Sequence, residues 1–151
     1  NKGYAKSIGV SNYTIKMLEE ACTTLDDMPV CNQVEFHPYL DQSKLFAAAT
    51  RLGIALSAYC PLAKGRIFGD PVIKTLAAKY NRSEAQIILR WIVQKGVSAN
   101  PMSTKPENLS ANIDAVNFNL SAPDSAAIDR LGKKGLRIVD KDRMPIAPEW
   151  D

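Results

Sequence analysis

The chain has 151 residues, of which 46% are apolar and 23% are charged, and its formal net charge is +3. This composition is ordinary for a soluble globular protein and argues against disorder, and a charge this small does not indicate nucleic-acid binding; the one basic cluster, from Lys133 to Arg143, is interpreted as a solvated tail. No run of 18 apolar residues occurs, which excludes a membrane-spanning helix, and the first residues show no signal peptide.

Four short segments have the composition of β-strands, at residues 7–10, 32–36, 54–59 and 97–101. Helical periodicity fills the intervals between these segments and continues after the last of them. The predicted helices cover residues 14–23, 42–52, 70–80, 83–95, 106–116 and 122–131. Residues 140–151 are predicted to form an irregular tail.

Three of the predicted helices carry signals for their first turn. Asp70 is a favourable N-cap, and the proline after it suits the first helical position. Ser83 and Gln86 have the spacing of a capping box, in which each side chain bonds to the backbone of the other residue. Thr104 and Glu107 have the same spacing, so Thr104 is predicted to cap the fifth helix.

The alternation of strands and helices predicts an α/β fold with a parallel sheet and crossover helices. No G-x-G-x-x-G follows the first strand, which argues against an open dinucleotide-binding fold. Four βα units cannot close a barrel, which needs eight, and alone they would leave two sheet edges and one uncovered face. We therefore predict the second half of a larger barrel in residues 1–139, with residues 140–151 as the tail of the same domain.

Several blocks of this sequence resemble the aldo-keto reductases: "SIGVSNYTIKMLEEA", "NQVEFHPYLDQSKL", "AYCPLAKG", "AQIILRWIVQKGV", "ENLSANIDAVNFNLSAPDSAAID" and "APEWD". The blocks follow the family's order from Lys6 to Asp151, and within the family they are most similar to the bacterial 2,5-diketo-D-gluconic acid reductases, the B type especially. The resemblance implies the C-terminal four units and tail of a (β/α)8 TIM barrel. It also implies a cytoplasmic oxidoreductase that transfers a hydride from NADPH to small aldehydes or ketones.

The resemblance further implies which residues bind the cofactor. The serine and asparagine of "GVSN" and the glutamine of "NQVEF" would hold the nicotinamide amide, and the tyrosine of "AYCPL" would stack on the nicotinamide ring. The backbone after that tyrosine would contact the pyrophosphate, and the loop "PMSTKPENLSAN" would bind the adenosine 2′-phosphate. The implied cofactor-binding residues are Ser11, Asn12, Gln33, Tyr59, Cys60, Leu62, Ser103, Thr104, Asn108 and Asn112.

These residue types suit the chemistry of the cofactor. Each polar residue follows the predicted carboxyl end of a strand, where the active sites of barrels lie. Uncharged amides and hydroxyls offer both donors and acceptors to a nicotinamide, and a flat neutral ring suits another flat neutral ring. The free N–H groups at the start of a helix favour a phosphate, which accounts for a polar loop before the fifth helix.

Two residues depart from the family pattern at the phosphate end. The family has lysine at the position of Met102 and arginine at the position of Asn108, whereas here both side chains are uncharged. Loss of a charge-assisted hydrogen bond costs about 1.5–3 kcal/mol, which Lys105 would offset in part. The expected cofactor is therefore NADP(H), with NAD(H) as an alternative.

The family's catalytic residues are a tyrosine proton donor, a lysine and an aspartate that tune it, and a histidine. They belong to the N-terminal half of the barrel, and no motif for them occurs here, so no catalytic residue is assigned and this chain alone is expected to be inactive. Two alternatives stay open: a half-barrel interaction module, or a dinucleotide-binding remnant without catalysis. The expected partners are a small carbonyl substrate and either the N-terminal half-barrel or a second copy of the chain, with neither nucleic acid nor membrane.

Other reactive side chains have structural interpretations. His37 stands alone before a proline, and a metal site needs several ligands, so a structural role is favoured. Cys60 is interpreted as an inert thiol, and the three cysteines, which have no C-x-x-C spacing, predict neither a disulfide framework nor a metal site. Trp91 lies on the apolar face of a predicted helix and is assigned to the core. Trp150, in the tail, is either a contact over the substrate pocket or a packing residue.

Overall fold

The computed structural model describes residues 3–140, 142 and 144–151. Its centre is a sheet of four parallel strands in sequence order. The strands are β1 (Val10–Ser11), β2 (Cys31–Glu35), β3 (Ala55–Tyr59) and β4 (Ser98–Ala99). This arrangement confirms the predicted α/β fold with a parallel sheet. The last residue of the basic cluster, Arg143, lies outside the described residues.

Helices connect the strands and follow the last of them. The α-helices are α1 (Ile15–Thr24), α2 (Ser43–Leu52), α3 (Pro71–Tyr80), α4 (Glu84–Gln94), α5 (Pro106–Asp114) and α6 (Ala122–Asp129). Short 3-10 helices occupy Ala63–Gly65 and Arg130–Lys134. Within the described ranges, no helix combines the length and the apolarity needed to cross a bilayer.

The core lies between one face of the sheet and the helices. Four buried side chains point to this face: Val34 of β2, Phe36 just after β2, and Leu56 and Ala58 of β3. They alternate with residues that point the other way, as the two-residue period of a strand requires. The helices contribute Leu18, Leu45, Ala49, Ile73, Leu76, Ile88 and Ile92 to the same cluster.

The opposite face of the sheet is polar and largely exposed. Ser11 is aligned with Gln33, and Ser57 is aligned with Ser98, so each pair of side chains projects from this face. Ser11, Gln33 and Ser98 are exposed to solvent. Among the described strands, β1 and β4 each pair on one side only. The sheet therefore has the two edges and the uncovered face expected of a partial barrel.

Two of the three predicted N-caps are confirmed. The Asp70 carboxylate accepts hydrogen bonds from the backbone N–H groups of Val72, at 2.9 Å, and Ile73. The Ser83 hydroxyl accepts from the Gln86 backbone at 3.2 Å, and the Gln86 side chain accepts from the Ser83 backbone at 2.9 Å. Both helices thus begin at the predicted residues.

The predicted cap at Thr104 is wrong. Lys105 occupies the N-cap position of α5, Pro106 is the first helical residue, and no side chain caps the helix. Proline suits the first helical position because its φ is already helical and it has no N–H to satisfy. The proline therefore sets the start of the helix one residue later, and the Ser103 hydroxyl accepts a local bond from the Lys105 backbone at 3.1 Å instead.

Candidate functional site

Polar side chains gather at the edge where the strands end. The backbone N–H of Asn12, just after β1, donates to the Gln33 carbonyl at 2.9 Å, and the Ser11 hydroxyl donates to the same oxygen at 3.0 Å. The hydroxyl of Tyr59, the last residue of β3, donates to Asn12 Oδ1 at 2.8 Å across 47 residues of sequence. The structure thus brings Ser11, Asn12, Gln33 and Tyr59 together. We call this group the rim.

The bond from Tyr59 fixes the side-chain amide of Asn12. Asn12 Oδ1 accepts the hydrogen bond from the phenol, so Nδ2 is the part of the amide that is left to donate towards a ligand. Asn12 has φ of 59°, in the left-handed region, which asparagine tolerates better than most residues with a side chain. This backbone turn ends β1 and keeps the amide at the sheet edge.

Tyr59 presents an uncharged ring. The side chain is half-buried, and burial, followed by the nearby Glu35 carboxylate, raises the pKa of Tyr59 to about 12. A phenol in this environment stays protonated at neutral pH, because its ionised form would lie in a poorly solvated position near another negative charge. The ring is therefore a flat, neutral surface suited to stacking.

The raised pKa of Tyr59 predicts a loss of stability at high pH. An unfolded tyrosine ionises near pH 10.0, whereas folded Tyr59 holds its proton until about 12. Its contribution to stability is therefore complete below pH 10 and is lost as the pH rises through the folded pKa. An ultraviolet absorbance titration of the native chain, minus that of Tyr59→Phe, should show one phenol titrating near 12. A difference curve centred near 10 would contradict the proposed burial.

The loop after β3 has a constrained backbone. Cys60, Ala63 and Lys64 all have positive φ, between 48° and 52°. Such a conformation costs on the order of 1 kcal/mol or more per residue and persists only where the surroundings impose it, as ligand-binding loops often do. Leu62, also predicted to contact the cofactor through its backbone, lies within this loop. Burial, followed by the Glu35 charge, raises the pKa of the Cys60 thiol, which supports its interpretation as inert.

The residues predicted to bind the 2′-phosphate follow β4 in the chain, two in the loop and two within α5. The four residues are Ser103, Thr104, Asn108 and Asn112. Among the described residues, no hydrogen bond joins them to the rim, and Ser103 bonds within its own loop. Met102 is 92% exposed, so its side chain has no packing role. Lys105, at the N-cap of α5, is the cation nearest to the start of this helix.

Sequence reasoning missed a buried carboxylate at the end of β2. Glu35 is fully buried, and its Oε1 accepts from His37 Nε2 at 2.9 Å and from the Ile138 backbone at 2.6 Å, while Oε2 accepts from the Val139 backbone at 2.8 Å. Burial alone would raise the pKa of Glu35, but these hydrogen bonds outweigh it and lower the pKa. The available signal was a glutamate placed between two apolar residues, Val34 and Phe36.

The same contacts decide the role of His37. The ring is fully buried, its Nε2 donates to Glu35, and its Nδ1 accepts from the Tyr39 backbone at 3.3 Å. Both nitrogens are thus used inside the protein, which confirms the structural interpretation. In the part of the chain that the structure describes, no group of three or more histidine, cysteine or acidic side chains is placed to hold a metal ion.

The C-terminal tail packs against the rim. The side-chain carboxylate of Asp151 accepts a hydrogen bond from the Ile15 backbone N–H, at the start of α1, at 2.9 Å. The Trp150 ring lies 4.0 Å from the Arg137 guanidinium. A cavity of about 290 Å³ is formed by tail residues and the end of β1; its lining is Ser11, Asn12, Tyr13, Met17, Met144, Ile146, Ala147, Pro148 and Trp150. Trp150 therefore lines a cavity beside the rim and packs on Arg137.

A second cavity, of about 320 Å³, lies on the helical side of the sheet. Its walls include Phe36, Phe46 and Trp91, together with the ion pair between Lys95 and Asp129. These are packing aromatics and an already neutralised charge pair, and no residue of the rim lines this cavity. We therefore place the candidate site at the rim and not in this slightly larger cavity.

Comparison with known sequences points in the same direction. The model of the Aldo/keto reductase family matches residues 1–133. Methylglyoxal reductase DkgB of Escherichia coli O157:H7 is 40% identical over 151 residues, which are 99% of this chain and 55% of that protein. Glyoxal reductase of Bacillus subtilis (strain 168) is 41% identical over 131 residues, covering 87% of this chain and 48% of the relative.

Solved structures of similar proteins share the fold. A provisionally named 2,5-diketo-D-gluconic acid reductase B superimposes with a TM-score of 0.93 and 35% identity, over 99% of this chain and 53% of the other. The Bombyx mori aldo-keto reductase in complex with NADP gives a TM-score of 0.86 and 33% identity, over 97% and 50% of the two chains. The chain spans about half the length of the relatives it matches.

Proposed function

Because this chain belongs to the aldo/keto reductase family, we propose that its whole protein reduces small aldehydes and ketones, with NADPH as the hydride donor. The observation that carries the proposal is the hydrogen bond of 2.8 Å between Tyr59 and Asn12, which unites the rim from distant parts of the sequence. The names of two relatives, methylglyoxal reductase and glyoxal reductase, favour small dicarbonyl substrates, and a diketogluconate is a related candidate.

The rim residues have distinct roles in this proposal. Asn12 Nδ2 donates to the carbonyl oxygen of the nicotinamide amide, and Ser11 and Gln33 supply further uncharged hydrogen-bonding groups. Tyr59 stacks on one face of the nicotinamide ring and so leaves only the other face open to the substrate. When bound, NADPH supplies the hydride; the side chains of this chain orient the ring and exclude water from it.

The phosphate end of the cofactor is assigned to the loop after β4. Ser103 and Thr104, just before α5, and Asn108, in its first turn, provide neutral donors near the start of the helix, and Lys105 provides positive charge there. Asn112 lies one turn further along α5. We propose NADP(H) as the cofactor on this basis, which the NADP complex of the Bombyx mori relative supports. The uncharged residues at positions 102 and 108 keep NAD(H) as the alternative.

No residue of this chain is proposed to donate the proton to the substrate oxygen. In the family this step belongs to the tyrosine of the N-terminal half-barrel, assisted by a lysine, an aspartate and a histidine. The three cysteines, Cys22, Cys31 and Cys60, are unpaired, so we propose a reducing compartment, the cytoplasm, for the protein.

A fusion protein tests the proposed activity. Joined to the N-terminal half of the Escherichia coli methylglyoxal reductase, the chain should form a complete barrel that oxidises NADPH in the presence of methylglyoxal or diketogluconate. The 151 residues alone should give no turnover. Activity of the purified chain by itself would contradict the assignment of catalysis to the other half, and a folded, NADPH-binding fusion that reduces no carbonyl would contradict the reductase function.

The open sheet edges support a second proposal, that this chain pairs with a complementary half-barrel or with a second copy of itself. β1 and β4 each bond to one neighbour among the described strands, and exposed backbone edges favour pairing with another chain. Sedimentation at low concentration separates the alternatives, because a well-behaved monomer would count against the pairing of two copies.

A further inference from the structure

We propose that Glu35 is a positioning residue, whose buried carboxylate holds the C-terminal tail across the strand ends and thereby sets one wall of the cavity beside the rim. The role of this wall in substrate binding rests on the proposed function. The attachment of the tail by Glu35 does not, because it follows from contacts within the chain.

The carboxylate joins two segments that are far apart in sequence. Ile138 and Val139 donate their backbone N–H groups to different oxygens of Glu35, across 103 and 104 residues. His37 donates to one of the same oxygens from the chain just beyond β2. Three donors therefore converge on one fully buried carboxylate, and hydrogen bonds to a buried charged acceptor are among the strongest in proteins.

The anchored segment leads directly to the cavity wall. Arg137, immediately before the two anchored amides, places its guanidinium 4.0 Å from the Trp150 ring. At its other end the tail is fixed by the bond between the Asp151 carboxylate and the Ile15 backbone. The tail residues that line the cavity lie between these two attachments. Loss of the Glu35 attachment should therefore release the wall at one end while the sheet and helices keep their core.

Every hydrogen-bonding partner of Glu35 is a donor, so both carboxylate oxygens must act as acceptors. His37 Nδ1 accepts from a backbone N–H, so its Nε2 carries the proton that points at Glu35. Tyr59 on β3 and Arg137, in the segment that leads into the tail, are the other ionisable groups that influence this site, together with the Cys60 thiol. Glutamine would replace one acceptor oxygen by a donor NH₂ group, which would face another donor.

Hydrogen exchange on the 151-residue chain tests the proposal. In Glu35→Gln, the amides of residues 138 and 139 should exchange on the order of tenfold faster or more, relative to core amides of α4. In a Trp91→Phe background, where Trp150 is the remaining tryptophan, its emission should move to longer wavelength as the ring becomes hydrated.

Asp70→Asn is the matched control, since Asp70 is another buried carboxylate that accepts a backbone N–H and side-chain donors. One donor is Lys134 of the last 3-10 helix, so this variant loosens the chain before residue 137 but removes no bond to residues 138 and 139. It should leave the tail amides and the Trp150 emission unchanged relative to the core. Equal opening of the tail in both variants, or no opening in Glu35→Gln, would overturn the proposal.

A second variant removes the same contact from the side of the anchored segment, residues 138 and 139. Val139→Pro removes one donor and leaves the buried carboxylate in place, so it should open the tail in the same direction with the core intact. If Glu35→Gln does not fold, Val139→Pro alone tests whether Glu35 holds the tail. Unchanged exchange at residue 138 together with unchanged Trp150 emission would then overturn the proposal. Because neither readout uses cofactor or substrate, an inactive fusion protein would leave this test standing.

Discussion

Replacement of Tyr59 by leucine should weaken NADPH binding by about ten- to hundredfold. Stacking of a base on an aromatic side chain contributes about 1–3 kcal/mol, and leucine keeps the apolar volume but not the flat π-surface. Tyr59 is positioned for this role by its half-buried ring at the end of β3 and by its bond to Asn12. NADPH fluorescence titration of the fusion protein measures the change.

Tyr59→Phe is the control for this prediction. It keeps the ring and removes only the hydroxyl that donates to Asn12, so its effect should be smaller, on the order of threefold to tenfold, as expected for one hydrogen bond. The leucine variant loses both features. Equal losses of affinity in the two variants would show that stacking contributes little, and no loss in either would remove Tyr59 from the cofactor site.

Replacement of Trp91 by alanine should lower the free energy of unfolding by about 3–5 kcal/mol. Trp91 is 4% exposed, its ring centroid lies 5.6 Å from that of Phe36, and its Nε1–H donates to Asp129 at 2.8 Å. Alanine would leave a cavity between α4 and the sheet and would remove the hydrogen bond to Asp129, which keeps its ion pair with Lys95. Since a domain is stable by only about 5–15 kcal/mol, this one change should remove a large fraction of the total.

Denaturation of Trp91→Ala in urea, followed by far-ultraviolet circular dichroism, measures this loss. Trp91→Phe is the matched variant, because it retains most of the ring volume and removes the hydrogen bond to Asp129; its cost should be clearly smaller. If both variants lose the same stability, the hydrogen bond and not the buried volume would dominate. A loss below about 1 kcal/mol in the alanine variant would contradict the position of Trp91 in the core.

The elements of the fold were predictable because their signals are local. Asp70 and Ser83 mark helix starts through bonds to residues two or three positions away, and the structure confirms both. The cap at Thr104 was mispredicted because two local rules compete there, and Pro106 decides the start of the helix. The first strand also begins later than predicted, although the Ile8 carbonyl already accepts a hydrogen bond from the backbone of Val30, just before β2.

The rim was predicted mainly from the resemblance to a family, since periodicity alone gives Tyr59 no special role. The structure adds that Tyr59 and Asn12 are in direct contact, which neither residue type nor spacing could show. Glu35 was missed for a related reason. Its partners are backbone N–H groups more than 100 residues away, and a backbone donor leaves no trace in the sequence.

The tail shows the same limit. The sequence predicted an irregular segment, which is what the described residues of the tail form. Its position depends on the bond from Ile15 to Asp151, which are 136 residues apart, and on the contact of Arg137 with Trp150. Pattern-based reasoning therefore left two roles for Trp150, and the structure shows that its ring both lines a cavity and packs on Arg137.

An NMR titration of the chain with NADPH, followed by backbone amide shifts, tests the shared nucleotide site most directly. Residues 11–12, 33, 59–62 and 103–112 should shift together and fit one dissociation constant, because a single extended ligand would contact them all. Shifts confined to the cavity lined by Phe36, Phe46 and Trp91 would contradict a common site. Separate dissociation constants for the rim and for the loop before α5 would contradict it too.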